Sequence, residues 1–200
     1  YAINKEELLY GAFDGVGWTR ESMIPSPYFG FDPGFKANQY DVEKAKKLLE
    51  DSGSTGMNIT IKCINANEYS LSAQVIQEQL RKIGINAEVQ IMERANFVEE
   101  VYNNLDYEIC VGWRGGTYAD ADAIVWGFFN SKSVGFNNNI ANVNDPAVDE
   151  LLLKARTSVD TGERYSLYQQ LNEINNENCW YIPIVQSTCS LCTNVNLKGA

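Results

Sequence analysis

The chain has 200 residues, 44% of them hydrophobic and 21% charged, with a net charge of −10 and no histidine. That is enough for one sizeable α/β domain with a core of its own, or for two small ones. The acidity and the absence of any basic run argue against a nucleic-acid backbone or a polybasic membrane patch, and zero histidines remove His-based triads, His–carboxylate zinc sites and the commonest general base.

In chain order, Asn4-Lys-Glu-Glu7 reads as a capping box that opens a helix with Leu8, Leu9 and Ala12 on its apolar face, stopped at Gly15-Val-Gly17. Residues 18–40 carry no period and hold Pro25, Pro27, Gly30, Pro33 and Gly34, which predicts a long surface loop. Asp41 caps a second helix with a stripe of Ala45, Leu48 and Leu49, ended by Gly53. Residues 57–64 alternate as a strand, with Met57, Ile59, Ile61 and Cys63 on one face. A helix over 70–83 carries Leu71, Val75, Ile76, Leu80 and Ile83 on one side, and Gly84 closes it. A strand over 85–92 and a short helix over 96–102 lead to a further strand, expected to be central. The alternation of strands and helices favours parallel neighbours.

That further strand opens the most informative stretch, Tyr107-Glu-Ile-Cys-Val-Gly-Trp-Arg-Gly-Gly-Thr-Tyr-Ala-Asp-Ala-Asp122. Tyr107, Ile109 and Val111 alternate with Glu108 and Cys110, and the strand then breaks at Gly112 and again at Gly115-Gly116. A strand ending in a loop with aromatics and both signs of charge is a place to hold a small molecule. Trp113 reads either as a plug of the sheet end or as a ligand wall. Arg114 reads either as a bidentate partner for a ligand carboxylate or as a surface ion pair. Asp120 and Asp122 suit helix capping better than the opposed pair that glycoside hydrolysis needs.

A helix over 122–129 and an Asn-rich loop over 135–144 follow. Asp145-Pro146 and Asp160-Thr-Gly-Glu163 each start a helix, the first with Val148, Leu151, Leu152 and Ala155, the second with Tyr165, Leu167, Tyr168, Leu171 and Ile174. A last strand is expected over 180–185, with Pro183 at an edge or bulge. Of five cysteines, four suit small core positions, and Cys189-Ser-Leu-Cys192 is a solitary CxxC without the second pair or histidine a zinc site needs. No metal and no cofactor are expected, and the chain reads as one domain.

Several stretches, in order, resemble the family 5 extracellular solute-binding proteins, the receptors of peptide, nickel and related ABC importers. Ala2-Ile-Asn-Lys-Glu-Glu-Leu-Leu9, Tyr40-Asp-Val-Glu-Lys-Ala-Lys-Lys-Leu-Leu-Glu-Asp-Ser-Gly53 and Ile76-Gln-Glu-Gln-Leu-Arg-Lys-Ile-Gly-Ile85 carry the likeness. Gly112-Trp113 followed by acidic residues, Asn144-Asp-Pro-Ala-Val-Asp-Glu-Leu-Leu152, Arg164-x-x-x-Tyr168 and Ile182-Pro-Ile184 complete it. The resemblance implies an α/β lobe of a type II periplasmic-binding-protein-like fold, with a mixed sheet flanked by helices. Residues 1–200 would be the second lobe, excised from a two-lobed receptor that closes on its ligand by hinge motion and presents it to a membrane permease. It further implies a monomer at the extracellular face, lipid-anchored or periplasmic, that is not an enzyme. The ligand contacts would be Trp113, Arg114, Gly115, Gly116, Tyr118 and Asp120. Many peptide receptors of the family carry an Asp three residues after that Trp to pair with the peptide's α-amino group. Here that position is Gly116, with Asp120 as the substitute the loop offers. Peptides are the first expectation; an oligosaccharide, an opine or a metal chelate is the alternative, nickel being disfavoured by the missing histidine. A carboxylate hydrolase or a ligand-sensing lobe of a signalling protein are the readings from other classes.

Overall fold

A computed structural model describes residues 1–113, 115–134 and 138–188. Its framework is a three-stranded parallel sheet. β2 (Asn58–Ile64) lies in the middle, with β3 (Asn86–Met92) on one side and β4 (Ile109–Val111) on the other. The parallel expectation holds, but β4 is an edge strand among the described residues, not the central one. Its three residues pair only with β2, Ile61 opposite Ile109. Antiparallel pairing occurs elsewhere, in a short ribbon of β1 (Trp18–Thr19) and β5 (Val185–Gln186). The mixed sheet expected is therefore divided between two sheets.

Strand alternation places Ile59, Ile61 and Cys63 on one face of β2, where they pack with Ile109 and Val111 of β4. α1 (Lys5–Phe13), α2 (Val42–Asp51) and α3 (Asn67–Arg81) cover that face through Leu8, Ala45, Ile76 and Leu80. The other face receives α4 (Arg94–Phe97) and the π-helical turns that continue it, Val98–Asn103, through Phe97, Val101 and Tyr102. Cys110 and Ile64 pack there. Lys62, also on β2, is buried and reaches Glu100 at 2.8 Å.

A second layer is helical. α5 (Asp122–Phe129), α6 (Pro146–Thr157) and α7 (Thr161–Asn178) share a core of Val125, Phe129, Val148, Leu152, Tyr168 and Leu171, into which Ile24 of the long loop also inserts. Capping follows the sequence: Asn4, Asp41, Asp145 and Asp160 each accept from a first-turn amide. The first capping box closes differently from expectation. The Asn4 amide donates to Gln79 Oε1 at 3.1 Å, and Glu7 accepts from Gln79 Nε2 at 2.9 Å, so α3 completes the cap.

Several expected faces shift. Met57, Leu48 and Leu71 are exposed, and Cys179 caps the end of α7 in a left-handed conformation on the surface. The last strand begins only at Val185, so Pro183 lies before it. Arg114, Cys189 and Cys192 lie outside the described residues, as does part of the Asn-rich loop. No described helix is long and apolar enough to cross a membrane.

Candidate ligand-binding site

In a parallel sheet the loops leaving the carboxyl ends of the strands form a crevice where neighbouring connections diverge. Here β2 connects to β3 on one side, and the chain then returns to β4 on the other, so connections diverge between β2 and β4. The residues past those ends are Asn65 and Gly112-Trp113. Trp113 is 66% exposed, which settles against the buried-plug reading of that side chain. Its indole lies over Gly115, where a Cβ would sit 3.1 Å from Trp113 Cζ2. Glycine at that position therefore lets the ring fold back along its own loop.

Gly116 is packed from inside. A Cβ there would meet Tyr28 Cε2 at 2.9 Å, Ile124 at 3.1 Å and Ala123 at 3.2 Å, and the Tyr28 hydroxyl donates to the Gly116 carbonyl at 3.3 Å. The close approach that glycine permits is made by the protein itself. Further along, the loop is stitched to residues 28–31: Phe29 N donates to Ala119 O at 3.1 Å and Ala121 N to Phe29 O at 2.9 Å.

The two loop carboxylates are held by separate arginines. Arg164 of α7 donates through Nη2 to both oxygens of Asp120 at 2.9 and 3.0 Å, to Tyr168 Oη at 3.0 Å, and through Nε to Ala155 O at 2.9 Å. Burial disfavours its charge, but the bonds to Tyr168 and Asp120 outweigh that, and its pKa is raised. Asp120 also accepts from the Asp122 amide at 2.9 Å, which starts α5. Arg156 of α6 grips Asp122 bidentately at 2.9 and 2.7 Å while lying 3.4 Å from the Trp126 ring centre. The bond to Asp122 raises the pKa of Arg156, and the same carboxylate, accepting from the Tyr118 hydroxyl at 2.9 Å, raises that of Tyr118. Two carboxylates clamped by their own arginines hold the loop to the helical layer; they do not form an opposed pair across a cleft.

The structure thus brings Trp113, Gly115, Gly116, Tyr118 and Asp120 onto one loop, with Tyr118 half exposed and its hydroxyl tied to Asp122. Sequence reasoning missed Tyr28, Phe29, Arg156 and Arg164 as its frame. One signal was there: Arg164 and Tyr168 stand four apart on a helix, a spacing that puts them on one face. A hollow of about 380 Å³ lies at the opposite, amino-terminal ends of the strands, beside Thr60, Glu88 and Glu108. It is far from the loop ends where such sheets hold ligands. The described residues contain no cluster that could hold a metal ion.

Comparison with known proteins bears on the family and the fold. The family described as bacterial extracellular solute-binding proteins, family 5 Middle, matches residues 1–136. Di/tripeptide-binding protein 1 of Pseudomonas aeruginosa is 27% identical over 94% of this chain and 36% of its own length. Among solved structures, the periplasmic binding protein DppA of Helicobacter pylori, in complex with the peptide STSA, is 26% identical with a TM-score of 0.82, over 92% of this chain and 36% of that one. AgaA of Agrobacterium tumefaciens R10, in complex with agropinic acid, is 28% identical with a TM-score of 0.82, over 94% and 39%. The chain spans little more than a third of the length of the relatives it matches.

Proposed function

The chain belongs to the bacterial extracellular solute-binding proteins of family 5, and from that premise we propose that residues 1–200 form the second lobe of a two-lobed receptor that captures small peptides for an ABC importer. The observation that carries this reading is the loop after β4: an exposed Trp113 folded over Gly115, with Tyr118 alongside, at the carboxyl end of a parallel sheet. Aromatic faces supply apolar contact with little side-chain entropy to lose, which suits a cleft that closes on varied peptides. Relatives named for di- and tripeptides, and a similar structure holding the peptide STSA, support peptides as the ligand class. The receptor would work as a monomer at the extracellular or periplasmic face, lipid-anchored in the first case, and hand its ligand to a membrane permease. Asp120 would act through the fold, since its oxygens already pair with Arg164.

An opine or another small anion is the second reading. It is favoured by the similarity to AgaA bound to agropinic acid, and by Gly116 standing where many peptide receptors carry their amine-pairing Asp. Native mass spectrometry of the full-length protein, purified without refolding and then denatured, separates the two. Released short peptides are the expected result. A released opine or sugar keeps the receptor and discards the peptide.

A further inference from the structure

Tyr118, on the loop after β4, is 53% exposed, yet its hydroxyl is committed. It meets Asp122 Oδ2 at 2.9 Å. Asp122 is gripped in turn by Arg156, Nε to Oδ1 at 2.9 Å and Nη2 to Oδ2 at 2.7 Å. The same guanidinium lies 3.4 Å from the ring centre of Trp126, one turn along α5 from Asp122. Arg156 is thus fixed by a carboxylate and an indole together, a grip that a lysine does not reproduce.

The chemistry of these bonds fixes their direction. A carboxylate that accepts two guanidinium N–H bonds has no proton of its own to give, so the Tyr118 hydroxyl is the donor. Losing that proton would set a phenolate against Asp122, and the bond raises the Tyr118 pKa accordingly. What the hydroxyl has left to offer is its lone pairs, so toward a ligand it can only accept. The ring is held as well. An exposed tyrosine without this bond would lose its side-chain freedom only when a ligand arrives, at a cost in affinity.

We propose that Asp122 and Arg156 are positioning residues for a specificity contact: they hold the Tyr118 ring ready for the ligand and make its oxygen an acceptor that selects a backbone N–H of a bound peptide. A carboxylate at the same position would set its oxygens against those lone pairs, with no donor between them. The inference rests on the peptide reading and on the loop after β4 as the ligand site.

The test is a double-mutant cycle in affinity, measured by calorimetric titration of the full-length protein freed of bound ligand. The probe is the member of an Ala-Xaa-Ala tripeptide library that the parent binds tightest. Tyr118→Ala should weaken its binding by about tenfold or more. Tyr118→Phe and Arg156→Lys should each weaken it by about two- to tenfold, the cost of fixing one side chain. Arg156→Lys should add nothing further in the Tyr118→Phe background. Replacing the probe's amides by esters, one at a time, should reveal one N–H whose loss weakens binding to the parent but not to Tyr118→Phe. Three results would each overturn the proposal and leave the peptide reading standing: unchanged affinity in Tyr118→Ala, an equal Arg156→Lys loss in both backgrounds, or ester penalties that Tyr118→Phe leaves untouched. A library with no bound member would overturn both.

Discussion

Around the parallel sheet the buried apolar residues come chiefly from β2, α3 and the turn that leads to β3, which follow one another in the chain, with single residues from α1, α2 and β4. Apart from the bonds of Gln79 and Lys62, their contacts are mostly apolar. The helical layer is different. Its apolar core is keyed to the distant loop by polar bonds: Ser22 Oγ to Asn172 Oδ1 at 2.9 Å, Gln169 Nε2 to Gly30 O at 2.9 Å, and Asn38 N to Asn176 Oδ1 at 2.7 Å. The candidate ligand loop runs from one region to the other. It leaves β4 in the sheet layer and is then fastened to α6 and α7 by Arg156 and Arg164. The sheet places the loop, and the helical layer fixes its shape.

If the helical layer depends on close keyed contacts, small changes there should cost more than equivalent changes beside the sheet. Gly30, at φ +92°, has no room: a Cβ would lie 2.9 Å from Ala121 Cβ and 2.9 Å from Tyr168 Cδ2. Gly53, at φ +70° after α2, has nothing within 4 Å. Gly30→Ala is expected to cost about 3 kcal/mol or more in urea unfolding, from strain and overpacking together. Gly53→Ala should cost only about 1 kcal/mol, for the left-handed backbone alone. Equal losses would break the distinction.

A smaller effect sharpens it chemically. Cys110 packs against the second face of the sheet, and burial pushes its thiol from 9.0 up to about 12. Cys179, at the end of α7, is exposed. Iodoacetamide at pH 8 followed by peptide mapping should modify Cys179 and spare Cys110 in the folded protein. Because the folded state holds the Cys110 proton more tightly than the unfolded state, its contribution is fully present below pH 9.0, the ordinary thiol value, and is lost as pH rises towards about 12. Up to about 1.4 kcal/mol per pH unit in that window should vanish in Cys110→Ala. An unchanged alkaline profile would mean that the thiol is not held protonated.

The same contrast explains what could be read from the sequence. Period-two and helical patterns report burial against a neighbour that any apolar residue can provide. The strands over Ile59–Cys63 and the helices around Leu152 and Leu171 were therefore legible, as were the Asp41, Asp145 and Asp160 caps, whose partners lie within three residues. Gln79 taking over the Asn4 cap was not, because that partner lies 75 residues away. Leu48 and Leu71 satisfied the pattern yet face outward, since periodicity assigns a face but not how far the neighbouring layer extends. In the candidate site, Trp113 and the glycines announced a loop of unusual build. The partner of Asp120 did not announce itself, because an aspartate that holds a loop and one that holds a ligand look alike until Arg164, 44 residues on, is seen beside it.

That division of labour within one loop is the central claim, and affinity measured together with stability tests it most directly. With the ligand recovered from the full-length protein, Trp113→Ala should weaken binding by about tenfold or more while leaving the melting temperature close to the parent's. Asp120→Asn should do the reverse, costing about 1–3 kcal/mol of stability by unpairing Arg164 while intrinsic affinity stays within a few-fold. An Asp120→Asn protein that melts like the parent but no longer binds would contradict the account, and would return that carboxylate to the ligand.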